Sequence, residues 1–252
     1  MLAAIAKDVH LLVRDRGALI SLFAMPVVFM FVFGFAFASD TAGKPSIPGP
    51  YGAITSFQVA VPGNATLFGF FIALTVGMAF TTERRTGTWR RLLAAPIPRW
   101  KVLLSTLVPY FLIGICQLAF LFLVGIVGFD VTVAGSVLAL IVLSLANVAC
   151  AVSLGLLFAA VGGSERQLGG IGSVVLLIMG MVGGCMIPRL LMPEIMQTLG
   201  LAVPHAWTLD GYYALLVVPG TSLLDILPSV GALLGFSVAF GGLGLALFQF
   251  ER

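Results

Sequence analysis

Charge is what this sequence has least of. Only 9% of its 252 residues are Asp, Glu, Lys or Arg, against 60% hydrophobic. A water-soluble domain averages roughly 25% charged residues. There are too few polar side chains here to coat a core, so the solvent implied is lipid. Histidine is scarcer still. His10 and His205 are the only two, and the topology derived below sets them on opposite faces, so no histidine-based metal site assembles within one chain. Cys116, Cys150 and Cys185 have no metal-ligand spacing and read as small thiols in or at the ends of helices. No G-x-x-x-x-G-K-[ST] occurs, which excludes nucleotide binding through a P-loop. No ionisable residue falls at the centre of a predicted span, which removes the usual relay for proton-coupled transport and any intramembrane catalytic dyad.

What the sequence does have is long apolar runs. Residues 17–39, 102–129, 131–164, 167–188 and 226–250 contain no Asp, Glu, Lys or Arg. So does 45–82, whose Pro- and Gly-rich first third reads as loop, leaving 64–81 as helix. A hydrocarbon core of ~30 Å needs about 20 apolar residues per helix, and each run supplies a span of that order. The shorter runs 195–209 and 211–224, interrupted at Pro204, read as interfacial or re-entrant pieces. Residues 1–16 place Ile5, Val9 and Leu12 at helical spacing, as in a helix lying in the interface; a solvated lead-in to the first span is the plainer alternative. Ala36-Phe37-Ala38 looks like a signal-peptidase site, but the apolar run before it is longer than an h-region, so the segment reads as a retained span. The fold expected is an all-α membrane protein of six transmembrane helices.

Six spans put both termini on one side. That side carries Lys7, Arg14, Arg16, Arg84, Arg85, Arg90, Arg91, Arg99, Lys101, Arg166 and Arg252, which is 11 of the 13 basic residues. The other carries Lys44 and Arg189. The positive-inside rule makes the richer face cytoplasmic, with the chain in the cell (inner) membrane. The net charge of +3 is then a topology signal, not a nucleic-acid patch. Gln117 and Asn147 are the main strongly polar residues at depth and are expected to hydrogen-bond between helices.

The densest charge cluster follows the second span: Glu83-Arg84-Arg85-Thr86-Gly87-Thr88-Trp89-Arg90-Arg91-Leu92-Leu93-Ala94-Ala95-Pro96. Thr88 suits an N-cap, and Pro96 with Pro98 stops the helix. Trp89, Leu92 and Leu93 would then stand exposed at helical spacing on a short amphipathic helix, as a docking knob. A basic loop that only sets topology and leans on headgroups is the alternative.

This block resembles the segment after the second span in the ABC-2 family of exporter permeases. Glu83, Gly87-Thr88 and Leu92-Leu93-Ala94-Ala95-Pro96 match in order and spacing, and Arg99-Trp100-Lys101-Val102-Leu103 resembles the re-entry into the third span. A second likeness covers Gly183-Gly184, Pro188-Arg189, Met192-Pro193, Pro204 and Trp207-Thr208-Leu209-Asp210-Gly211. Arg85, Trp89 and Arg90 depart from the family's pattern, which has further acids and an aliphatic there.

The resemblance implies a single transmembrane domain over 1–252, with an interface helix at 1–16, a cytoplasmic coupling helix at 86–97 and an extracytoplasmic re-entrant segment at 188–218. It implies a permease subunit, not an enzyme, that binds no cofactor itself; ATP and Mg belong to a separate cytoplasmic ATPase. Two ATPase copies and a second permease, identical or paralogous, would be its partners. Glu83, Gly87, Thr88, Trp89, Arg90, Leu92, Leu93 and Pro96 are the expected coupling residues. Pro188, Met192, Pro193, Pro204, Trp207 and Asp210 are the expected outer gate. Motion would reach spans 2 and 5, with cargo passing between the permeases. Phe68, Phe71, Met179 and Met181 are uncharged candidates for the path of an amphipathic, drug-like or lipid-like cargo, although packing or lipid contact explains such residues equally. Export of a polysaccharide or lipid-linked glycan by the same type of permease is the first rival, and a membrane scaffold without transport the second.

Overall fold

The computed structural model describes residues 14, 16–36, 46–49, 52–94, 96–187 and 189–248. The first apolar run becomes a helical rod made of α1 (Arg16–Leu19), a π-helical turn (Ile20–Ala24) and α2 (Met25–Ala36). A two-stranded antiparallel hairpin follows, β1 (Ser46–Gly49) with β2 (Gly52–Thr55). The long helices are α3 (Ser56–Arg85), α5 (Arg99–Phe129), α6 (Val137–Val161) and α11 (Leu227–Leu247). Between α3 and α5 lies the short α4 (Thr88–Ala94). After α6 come α7 (Glu165–Gln167), a π-helical turn (Leu168–Gly172) and α8 (Ser173–Gly183). A 3-10 turn (Arg189–Leu191), α9 (Glu194–Gly200) and α10 (Pro204–Val217) precede α11.

Five helices among the described residues are long and apolar enough to cross a membrane: Ser56–Arg85, Arg99–Phe129, Val137–Val161, Glu165–Gly183 and Leu227–Leu247. Ile20–Ala36 is shorter, though apolar throughout. The expected interface helix at 1–16 lies almost wholly outside the described residues.

The second span is longer than its sequence suggested. It begins at Ser56, not near 64, because Thr55 closes a capping box: its hydroxyl accepts from the Gln58 amide at 3.2 Å, and Gln58 Oε1 accepts from the Thr55 amide at 2.9 Å. Pro62 sits inside this helix rather than in a loop. The loop expected up to residue 63 therefore gives way to a hairpin and two turns of helix. A helix of 30 residues reaches about 45 Å, longer than the hydrocarbon is thick. That length is more than a crossing of the hydrocarbon requires.

α3 is the hub. It packs against α2, α5, α6, α8 and α10, and its central stretch is 83% buried, against 17% for α11. Lipid cannot supply a hydrophobic drive between helices, so close approach of small residues does the holding. At Gly155 on α6, an added Cβ would come within 2.6 Å of the Val76 Cβ and 2.9 Å of the Ala73 carbonyl oxygen. Only glycine lets α6 lie this close to α3.

Gln117 behaves as its sequence position suggested. Its Nε2 donates to the Leu22 carbonyl at 2.8 Å, joining α5 to the first rod. Pro26, four residues on, has no N–H to offer this carbonyl. Asn147 differs. It is fully buried, but its amide makes no hydrogen bond of ordinary length; an added Cβ on Gly69 would lie 3.0 Å from its Nδ2.

Candidate functional site: the charged end of the central helix and the hairpin at the opposite end

The densest charge cluster of the sequence becomes a knot at the end of α3. The helix is closed by Thr86, whose hydroxyl donates to the Thr82 carbonyl at 2.9 Å. Gly87 then turns the chain with φ +74°, a left-handed conformation that favours glycine. The Arg91 amide donates to the Gly87 carbonyl at 3.3 Å, so Gly87 starts α4 and Thr88 is its first helical residue. Thr88 is therefore not the N-cap its sequence suggested; it meets the Thr86 hydroxyl at 3.1 Å. α4 spans seven residues, fewer than the expected 86–97, and Pro96 lies exposed beyond it.

The largest correction concerns Trp89. It does not project as an exposed knob: it is fully buried. Its ring meets Phe80 edge-on at 5.5 Å and Phe248 at 5.5 Å, while Phe80 and Phe248 meet each other at 5.4 Å. Edge-to-face pairs of this kind are worth about 0.5–1.5 kcal/mol each beyond their area. The triad fastens α4 to α3 and to the chain just past α11. Leu92 and Leu93 are half-buried against the same core, so Arg90, Arg91 and Ala94 form the exposed face of α4.

The charged residues around the triad bind neighbouring helices. Glu83 is buried, and its Oε2 accepts from the Thr106 hydroxyl of α5 at 3.5 Å. Arg84 lays its guanidinium over the Phe248 ring at 4.3 Å and reaches the Ala159 carbonyl of α6 at 3.4 Å. Thr82 donates to Glu165 Oε1 at 2.8 Å, and Arg85 pairs with the same oxygen at 3.6 Å. One helix end thus touches α5, α6, α7 and the segment after α11. Phe80, Phe248, Thr106 and Glu165 were not singled out by the sequence, because each looks ordinary until the helices are packed.

At the opposite end, residues 184–217 form a helical hairpin. Gly184 adopts φ +94° and ends α8. Met192 is buried, Pro193 precedes α9, and Pro204 opens α10 with its missing N–H at a position that needs none. Trp207 donates from its indole to the Leu201 carbonyl at 2.9 Å. Pro188 lies outside the described residues. Arg189 is the organiser that sequence reading passed over. Its Nε meets Asp210 Oδ1 at 3.2 Å, and its Nη2 donates to the Gln197 carbonyl at 3.1 Å, so one side chain joins the 3-10 turn to α9 and α10. Burial pushes the Asp210 carboxyl above its ordinary value, with Arg189 pulling the other way. The available signal was a cation, one of only two on that face, in the same segment as Asp210. His205 is also fully buried, its ring stacked on Phe70 at 4.1 Å.

Of the four cargo-path candidates, Phe68 and Phe71 lie side by side at 5.6 Å, and Phe68 also meets Phe29 of α2 at 5.4 Å. Met179 is half-buried on α8, and Met181 is exposed. Among the described residues, no group of three or more His, Cys, Asp or Glu side chains stands close enough to hold a metal ion.

A search of curated proteins returned no match for the chain. Comparison with protein families gave a different outcome: the model of the ABC-2 type transporter matches residues 1–217, leaving out only the last helix and its lead-in. The match takes in the apolar helices up to α8, the short helix at 88–94 and the hairpin at 184–217. The chain is a multi-pass membrane protein and belongs to the ABC-2 type transporter family.

Proposed function

We propose that this permease works as the membrane half of an ATP-driven exporter, with α4 receiving the stroke of a separate cytoplasmic ATPase. The rod 16–36 counts as the first of six spans, because with it both termini fall on the cytoplasmic side together with 11 of the 13 basic residues. Two copies of the permease, or this chain and a paralogue, sit on two ATPase subunits that bind ATP and Mg. Glu83, Gly87, Thr88, Leu92, Leu93 and Pro96 shape and hold the coupling segment, and Arg90 lies on its exposed face. Trp89 fixes α4 to the bundle instead of reaching into the ATPase.

The observation that carries this reading is the Trp89–Phe80–Phe248 triad. A seven-residue helix has too few hydrogen bonds to stand alone in water, and a loop that served only topology would not need its largest side chain buried. Through the triad, a push on α4 reaches α3 and the end of α11. The expected route through spans 2 and 5 stays in this reading, since α3 is span 2 and its end meets Glu165 at the start of span 5 through Thr82 and Arg85; the triad adds the end of α11 to it. The outer hairpin of Met192, Pro193, Pro204, Trp207 and Asp210 is the gate, held by Arg189. Cargo is an amphipathic or lipid-like molecule, in keeping with a chain whose spans offer rings and thioethers but no buried charge at their centres.

Charge reversal on the exposed face tests the reading. R90E/R91E is expected to lower co-purification of the partner ATPase at least tenfold in mild detergent while leaving the thermal stability of the permease unchanged. Undiminished binding together with undiminished cargo-stimulated hydrolysis would remove α4 from the coupling path.

A further inference from the structure

Beside the knot at the end of α3 lies a cavity of about 610 Å³, between Thr81 and Arg85 of α3 and the loop that runs from Val161 to Arg166. The coupling reading does not use it. At ~30 Å³ per water it holds about 20 waters, which is the size range of a small-molecule site. Its lining carries three guanidinium groups, Arg84, Arg85 and Arg166, and one carboxylate, Glu165. The balance is two positive charges.

Its depth matters as much as its charge. Ala160 and Val161 are the last residues of α6, and Thr81 is one turn from the end of α3. The apolar wall therefore belongs to the ends of membrane helices and the basic wall to the loop beyond them. Arg84 is fixed in place by Phe248 and the Ala159 carbonyl, while Arg85 and Arg166 stand exposed at the rim. One held guanidinium and two exposed ones, beside the apolar ends of the helices, form a cradle for a phosphate that has acyl chains on one side.

We propose that this cavity binds the phosphate headgroup of an anionic phospholipid of the cytoplasmic leaflet. Arginine suits the role because its planar fork offers two parallel N–H donors to a phosphate. Glu165 tunes the site from within: by pairing with Arg85 it holds that side chain near the mouth and weakens the net pull on an anion. The proposal rests on this end facing the cytoplasmic leaflet, as in the functional reading, but needs neither the ATPase nor transport. A free phosphate shares the same headgroup chemistry, and the two sources separate by experiment.

The full-length permease, stripped of lipid in detergent, is exposed to dioleoyl phosphatidylglycerol or dioleoyl phosphatidylcholine, and retained lipid is counted by native mass spectrometry. Phosphatidylglycerol is expected to be retained over phosphatidylcholine, and R85Q/R166Q to cut that retention roughly 10- to 30-fold, as two arginine contacts with an anionic headgroup imply. E165Q is expected to raise it. The charge-matched double variant R90Q/R91Q, on the exposed face of α4, is expected to leave it unchanged. Equal loss in R90Q/R91Q would mean diffuse surface attraction and overturn the site. So would retention that is indifferent to R85Q/R166Q. Displacement of the lipid by equimolar inorganic phosphate would assign the cavity to free phosphate and overturn the lipid.

Discussion

Replacing Trp89 by alanine should separate coupling from folding. The side chain is fully buried, and truncating a buried Trp or Phe typically costs about 3–5 kcal/mol. Two of the three ring contacts of the triad disappear with it, and these pairs carry about 0.5–1.5 kcal/mol each, partly counted in that range already. The loss falls on α4 alone, because Phe80 and Phe248 keep their own contact at 5.4 Å and α3 keeps its packing elsewhere. A loss of about 3 kcal/mol raises the detached population of α4 more than 100-fold. With seven residues the freed helix then unwinds. Hydrogen exchange across 86–94 should therefore accelerate by two orders of magnitude in W89A while exchange in the middle of α3 stays as it was. Basal ATP hydrolysis by the complex should survive and its stimulation by cargo should vanish. W89F, which keeps a ring in the triad, should restore most of both. Unchanged exchange at 86–94 in W89A would refute the reasoning, since α4 would then be held by something other than the triad.

Other outcomes follow from single contacts. D210N leaves Arg189 largely buried without its counter-ion; because Asp210 is itself 42% exposed, the cost should be about 1–2 kcal/mol rather than the full penalty of a buried pair, read as a lower melting temperature. R189Q/D210N should cost less than the two single variants added together, which a double-mutant cycle measures. Q117L removes the bond to the Leu22 carbonyl and should destabilise by about 0.6–2 kcal/mol in a detergent unfolding titration. G155V would drive a side chain into Val76 and the Ala73 carbonyl and should cost at least about 1–3 kcal/mol, seen as reduced folded yield.

The parts of this molecule visible in the sequence are those set by local rules. Apolar runs and the basic bias marked the membrane helices because lipid imposes a length and a charge asymmetry on every span. The left-handed turn at Gly87 appears only in the structure, whereas the stop before Pro96 was legible because a missing N–H acts on the residues beside it. The start of α3 was not, because Pro62 and its neighbours carry the composition of a loop, and only the reciprocal bonds of Thr55 and Gln58 reveal a helix start. Trp89 was misjudged for another reason. On an isolated helix its spacing with Leu92 and Leu93 defines an apolar face, but nothing local says whether that face meets a partner or the protein's own last helix. Phe248 lies 159 residues further on, and no periodicity reaches that far. Arg189 was counted as a topology marker, and its pairing with Asp210 depends on how the 3-10 turn folds back over α10.

The measurement closest to the central claim is site-specific photocross-linking between the permease and its partner ATPase. With the probe at position 90 or 91, on the exposed face of α4, a cross-linked adduct that changes in yield on adding ATP is the expected result. A probe at position 224, exposed in the outer loop, should give none. Adducts from position 166 with none from 90 or 91 would contradict the claim, and would move the point of energy entry from α4 to the loop between α6 and α7.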